Sequence, residues 1–356
     1  MSAAPIAYPV FIGTYGRQAG AGIYRVTFHP ASGALSEPVR VAELVRPSFL
    51  AYSPDQKFLY ALSQADESVA AFVVDHSIGT LKELNRQKTG FTGSCFVLAD
   101  RTGRTIFAVS YGDAAVAAFP VGAGGRLEPR SSLHHHEGQV GPHRERQDKP
   151  HAHSVTVSPD NRFVYACDLG LDRVIAYRLD AAQATLTRAP EADGISPPGA
   201  GPRHAKFSSD GRFLYVVNEL TGSISVFACE AETGRLSLLD TVSTLRDGYT
   251  GENTSSEIRL HPNERFVYAA NRGPDDLAVF RRDPASGRLE RIQIIPTGGG
   301  HPRNFELSPD GHWLISANRD SSTLTTFSID PETGRLTATG HAVALPEPVC
   351  VLFPKR

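Results

Sequence analysis

No run of 18 apolar residues occurs anywhere in this 356-residue chain, which excludes a membrane-spanning helix. Strong charge of one sign is missing too. The 36 basic residues face 38 acidic ones, for a formal net charge of -2, so there is no basic field to hold nucleic acid or an anionic bilayer. Cysteine is scarce: Cys95, Cys167, Cys229 and Cys350 lie far apart, with no Cys-x-x-Cys pair. That spacing argues against a zinc cluster or a redox dithiol and leaves buried free thiols as the reading. Met1 to Tyr8 lacks a basic stretch followed by a long apolar core, so a soluble cytoplasmic protein is expected.

Turn-forming residues are plentiful. The 32 Gly and 25 Pro point to many turns and short strands rather than long helices. They recur in register. Ser53-Pro54-Asp55, Ser158-Pro159-Asp160, Ser208-Ser209-Asp210, His261-Pro262-Asn263 and Ser308-Pro309-Asp310 each precede an aromatic-rich strand, with a looser copy at Asp100 to Arg104. A second landmark, Gly-x-Leu, places leucines at 35, 81, 127, 236, 289 and 336, with Ala184-Thr185-Leu186 as an imperfect seventh. The steps between successive leucines are 46, 46, 59, 50, 53 and 47 residues. A repeat of that length built from short strands predicts an all-β fold, a seven-bladed β-propeller of four-stranded antiparallel blades.

Around Arg212 the expected strands are Ala205 to Ser208, Phe213 to Asn218, Ser223 to Ala228 and Leu236 to Val242. At the ends, Val10 to Thr14, Gly22 to Phe28 and Leu35 to Ala42 read as a blade without its innermost strand, and Pro348 to Phe353 as that strand. Pairing the two ends closes the ring and removes exposed sheet edges. An open solenoid would need caps instead. The repeat spans Val10 to Phe353 with no linker, so residues 1–356 are expected to form one domain.

In such a ring the inner strands start, and the second strands end, on one face. There the sequence gathers His151-Ala152-His153-Ser154, Pro202-Arg203-His204, Ser256-Glu257, His301-Pro302-Arg303, Cys167-Asp168, Asn218-Glu219, Asn271-Arg272 and Asn318-Arg319, with Tyr15 and Tyr111 at matching points. Arginines with a carboxylate and a histidine suit an anionic small molecule undergoing proton transfer. The other face carries turns that need no function beyond geometry. Ser131 to Pro150, with His134-His135-His136 and Arg144-Glu145-Arg146, reads as an exposed mobile loop, with substrate cover as the alternative. Three consecutive histidines do not readily converge on one metal ion.

These stretches, above all His153-Ser154-Val155, Gly201-Pro202-Arg203-His204, Val217-Asn218-Glu219 and Asn271-Arg272, resemble the seven-bladed propeller lactonases. That family includes bacterial 6-phosphogluconolactonase and fungal carboxy-cis,cis-muconate cyclase. The resemblance covers nearly the whole chain. It implies that His153, Arg203, Glu219 and Arg272 carry the chemistry, with either His153 or Glu219 activating water and an arginine meeting the oxyanion. Arg303 matches a further Pro-Arg motif, and with His204, Glu257 and Arg319 it completes the expected substrate contacts. The implied reaction is hydrolysis of 6-phospho-D-glucono-1,5-lactone in the pentose phosphate pathway, with no cofactor and no metal.

The alternatives are a carboxymuconate cyclase, a protein-binding propeller, and a metal-dependent gluconolactonase recruiting Glu219, Glu257 and Asp168. The lone Trp313 stands outside a Trp-Asp context, against a WD-type scaffold. The expected partner is a small anionic lactone; the oligomeric state stays open between a monomer and a weak dimer.

Overall fold

The computed structural model describes residues 7–16 and 20–354; most of the leader reading over residues 1–8 lies outside them. Seven antiparallel sheets follow one another along the chain. The fifth is typical: Pro202–Phe207 innermost, then Phe213–Asn218, Ser223–Cys229 and Leu236–Ser243 outermost. Its second strand is buried throughout, whereas the outer strand is mostly exposed. Apolar residues on both faces of a middle strand therefore need a sheet on each side, and the ring supplies them.

Accordingly the core is divided into seven apolar clusters, each shared by two adjacent blades. The two sequence landmarks are partners across these seams. Tyr60, Tyr165, Tyr215 and Tyr268 donate their hydroxyls to the carbonyls of Gly125, Gly234, Gly287 and Gly334 of the next blade, at 3.1, 2.6, 2.9 and 2.9 Å. Gly287 shows why glycine is used there. Its φ is +73°, and a Cβ would stand 2.4 Å from the Phe213 ring.

The ring closes as the sequence predicts. Pro348–Leu352 pairs with Tyr8–Thr14, Phe11 opposite Leu352 and Ile12 opposite Val351. The outer strand expected over 35–42 is instead two short pieces, Ala34–Leu35 and Val39–Ala42. Pro38 has no N–H for the ladder, and the Ser36 hydroxyl accepts the Thr27 N–H at 2.9 Å in its place.

The segment read as an exposed mobile loop, 131–150, is irregular and mostly exposed over 137–149 but starts as a strand. Ser132–His135 is the outer strand of the third blade. His134 bonds the Leu186 carbonyl at 2.9 Å, His135 faces the Asp113 carbonyl at 3.2 Å, and His136 is buried against Asp168 at 2.7 Å. His134 and His136 share one side, both rings lying against Tyr177 at 5.1 and 6.2 Å between centroids, while His135 points the other way, as alternation along a strand requires.

Candidate active site

In six of the seven blades the inner strand slips register against the second strand where it begins. The extra residue of such a bulge is turned out of the ladder and its side chain re-aimed. Cys95, His153, Arg203 and Arg303 each occupy the bulged position of their blade. The inner strand of the fifth blade accordingly begins at Pro202 rather than at Ala205, because proline is tolerated as a first strand residue next to a bulge. Cys95, His153 and Arg303 line a cavity of about 580 Å³ at the channel mouth, joined by Glu219 and Arg272 from the ends of second strands and by Tyr15, Tyr111, Arg146 and His301.

Glu219 is the hub. Its Oε2 accepts from Arg203 Nε at 2.9 Å and lies 3.1 Å from Arg272 Nη2, while Oε1 accepts from Arg146 Nη2 at 2.5 Å. His153 Nε2 stands 4.0 Å from the same Oε2. Burial pushes the Glu219 carboxyl up, but Arg272, Arg203, His153 and Arg146 together hold it well below the usual carboxylate range. Burial, reinforced by Arg203 and His204, drives His153 well below the usual imidazole range, so it is neutral at physiological pH. Its Nδ1 is buried without a hydrogen-bond partner among the described residues.

Behind this layer the chain of charge continues away from the cavity. Arg203 Nη1 donates to His204 Nε2 at 3.2 Å, and His204 Nδ1 donates to Glu257 Oε1 at 3.1 Å. Since guanidinium only donates, this direction fixes the His204 tautomer. Glu257 also meets Arg259 Nη1 and accepts from Asn304 Nδ2 at 2.6 Å, and Arg259 Nε donates to Glu306 at 2.8 Å. Arg259 and Glu306 border a separate hollow of about 330 Å³ among the far ends of the inner strands.

The rim is different in kind. Arg303 lies over the Tyr15 ring, 4.9 Å from its centroid, and has no carboxylate partner among the described residues. Arg319 pairs with Asp320 at 2.5 Å, and Asp320 also reaches His301 Nδ1 at 3.3 Å. His151 stacks on Tyr111 with centroids 4.2 Å apart and bonds Asp148 at 2.9 Å.

The family model for the seven-bladed β-propeller lactonases matches residues 9–353. The chain belongs to this lactonase family. It is 34% identical over 349 residues to the 6-phosphogluconolactonase of Bacillus subtilis, covering 97% of this chain and 98% of that one. The 6-phosphogluconolactonase of Formosa agariphila is 32% identical over 83% of this chain and 85% of its own. The solved periplasmic gluconolactonase of Pseudomonas aeruginosa superposes with a TM-score of 0.91 at 33% identity, covering 97% of this chain and 98% of that one.

Within this lactonase, His153, Arg203, Glu219 and Arg272 come together in one cluster, with Arg303 lining the same cavity. His204 and Glu257 do not line it: they stand behind Arg203, and Arg319 is held at the rim by Asp320. Reading strand ends by number placed them on the right face but could not distinguish the cavity wall from the layer behind it. Arg146 was read only as part of the 131–150 loop, with substrate cover as the alternative, and not as a residue of the site, because its loop belongs to no repeat. Glu219, Glu257 and Asp168, the carboxylates a metal site would recruit, have separate partners, Asp168 accepting from the N–H groups of His151 and Leu171 at 2.9 and 3.0 Å. No group of His, Cys, Asp or Glu suited to a metal ion occurs among the described residues.

Proposed function

We propose that this lactonase hydrolyses 6-phospho-D-glucono-1,5-lactone to 6-phosphogluconate, with His153 as general base. The supporting observation is the charge of the cavity: Arg146, Arg272 and Arg303 line it, Arg203 adjoins it, and Glu219 is the only carboxylate in the wall among the described residues. Such a surplus of guanidinium favours a ligand that carries negative charge. The kinship with 6-phosphogluconolactonases agrees.

Between the two candidate bases, Glu219 is the poorer. Three guanidinium groups already engage both of its oxygens, whereas His153 Nδ1 has no partner among the described residues. Neutral His153 instead takes a proton from water as the water oxygen bonds to the lactone carbonyl carbon. The imidazolium so formed faces the Glu219 carboxylate at 4.0 Å, which stabilises it. Arg303, unpaired with any acid among the described residues, meets the oxyanion of the tetrahedral intermediate. The ring C–O bond then breaks, and the departing oxygen takes the proton back from His153.

Steady-state assay of the wild type and His153→Ala on this lactone tests the reading. The wild type should exceed the spontaneous rate, and His153→Ala should lose roughly 10²- to 10⁴-fold in kcat with little change in melting temperature. Cyclisation of carboxymuconate outpacing lactone hydrolysis would reverse the choice of reaction. A phosphorylated substrate also implies a cytoplasmic location and a place in the pentose phosphate pathway; recovery of the protein outside the cytoplasm on cell fractionation would contradict that.

A further inference from the structure

Among the described residues, Arg146 is the one cavity arginine that the blade repeat does not supply. It stands on the connection 136–150, between the outer strand of the third blade and the inner strand of the fourth. That connection is pinned before any ligand arrives. Beyond the His136–Asp168 contact, the Gly141 N–H donates to the Gly170 carbonyl at 2.8 Å. Gln147, beside Arg146 and 1% exposed, donates its amide to Leu169 O and Asp172 Oδ1, both at 2.8 Å. Asp172 in turn accepts from the N–H groups of Gly199 and Gly201 at 2.6 and 2.8 Å. One carboxylate therefore ties the Arg146 connection to the segment that leads into Arg203.

Exposure separates the arginines further. The side chains of Arg203 and Arg272 are 2% and 6% exposed. Both are already bonded, Arg203 to Glu219, His204 and Ser256 O, and Arg272 to Glu219, Thr254 O and Ser255 O. Arg146 is 33% exposed. It commits Nη2 to Glu219 and, at 3.5 Å, to the Tyr111 hydroxyl. Its Nε and Nη1 have no acceptor among the described residues. Arg303 starts an inner strand, as His153 does, and so stands on the channel wall near the reacting carbonyl; Arg146 reaches in from outside the strand ends.

We propose that Arg146 is a specificity-determining residue that binds the phosphate ester at the end of the substrate remote from the lactone carbonyl. It thereby sets the preference for phosphorylated over unphosphorylated aldonolactones. The proposal rests on the lactonase reading above and adds the residue that reads the phosphate. The Nε and Nη1 donors left over are available for charge-assisted hydrogen bonds to a phosphate oxygen, from a planar group whose directions a lysine does not reproduce. Because the connection lies outside the strand ladders, its sequence can change without altering the ring.

The test is kcat/KM of the wild type, Arg146→Ala and Arg146→Lys on 6-phosphoglucono-1,5-lactone and on glucono-1,5-lactone, with calorimetric binding of 6-phosphogluconate and gluconate to each. Arg146→Ala should lose about 10- to 100-fold on the phosphorylated lactone, mainly through KM. That loss should exceed its loss on the unphosphorylated lactone by about tenfold or more, with Arg146→Lys between, and 6-phosphogluconate binding should weaken in parallel. Equal losses on both lactones would overturn the proposal and leave Arg146 as a partner of Glu219 alone. A wild type active on both lactones without preference would overturn it while sparing the lactonase reading. A wild type active on neither would overturn that reading, and the proposal with it.

Discussion

His204 and Glu257 form a buried pair, Nδ1 to Oε1 at 3.1 Å, through which a carboxylate outside the cavity wall orients Arg203. Glu257 accepts the Nδ1 proton, which leaves the Nε2 lone pair of His204 to receive Arg203. The Arg203 guanidinium is thus held from behind while it grips Glu219 in front. Both members of the pair are at least 95% buried, where an unmet hydrogen bond is costly.

Breaking this pair should act on catalysis through Arg203. His204→Leu leaves an Arg203 N–H and a Glu257 lone pair without partners, and kcat/KM should fall about 10- to 100-fold. His204→Gln offers an acceptor and a donor on one amide, so it should recover most of the loss. Kinetics of the two variants side by side check this; equal defects would show that the ring's packing, not its hydrogen bonds, matters.

The same residue makes stability depend on pH. Burial, with Glu257 opposing and Arg203 assisting, brings His204 down to about 4 in the folded chain, against about 6.5 when unfolded. Below pH 6.5 the unfolded chain takes up a proton that the folded chain does not. Stability is therefore full above pH 6.5 and falls on acidification toward pH 4, by up to about 1.4 kcal/mol per pH unit and roughly 3 kcal/mol in all from this group. Denaturant titrations at pH 7, 6 and 5 should show the slope, and His204→Gln should flatten it. By the same sign, kcat/KM should show no inflection near pH 6.5, because His153 is still neutral well below that value.

The seam between the chain ends gives the third prediction. Pro348 to Val351 are buried, and Val351 also donates its N–H to Asn304 of the seventh blade at 2.8 Å. A chain ending at Pro346 loses the inner strand of the first blade and exposes the apolar faces of two neighbours. It should melt at least 10 °C lower or fail to remain soluble. A melting curve matching that of the full chain would mean the ring does not depend on its closing strand.

The sequence and the fold agree where a residue type has one use. The Tyr and Gly of the repeat were legible because each needs the other across a seam, and Tyr215 with Gly287 shows the pairing at 2.9 Å. The site was legible to the level of a face. His153, Arg203, Glu219 and Arg272 all sit at strand ends that topology sends one way. What was not legible was depth: the bulge that turns Arg303 into the cavity leaves no periodic signal, and Glu257, similarly placed in number, lies in the layer behind. Arg146 was hidden for a different reason. Its position depends on Gln147, Asp172 and Gly170, contacts 22 or more residues apart in a stretch without repeat.

The buried row from Arg203 through His204 and Glu257 to Arg259 has a kinetic consequence. Those side chains stand between the two hollows, which share no lining residue among the described residues, so the site opens as a cup. In the proposed hydrolysis, product leaves by the opening that admits the substrate, and the opened sugar acid, more negative than the ring it came from, is released by the same guanidinium groups that draw its precursor in. The proposed reaction is therefore expected to slow as product accumulates, which initial rates measured with added 6-phosphogluconate would show.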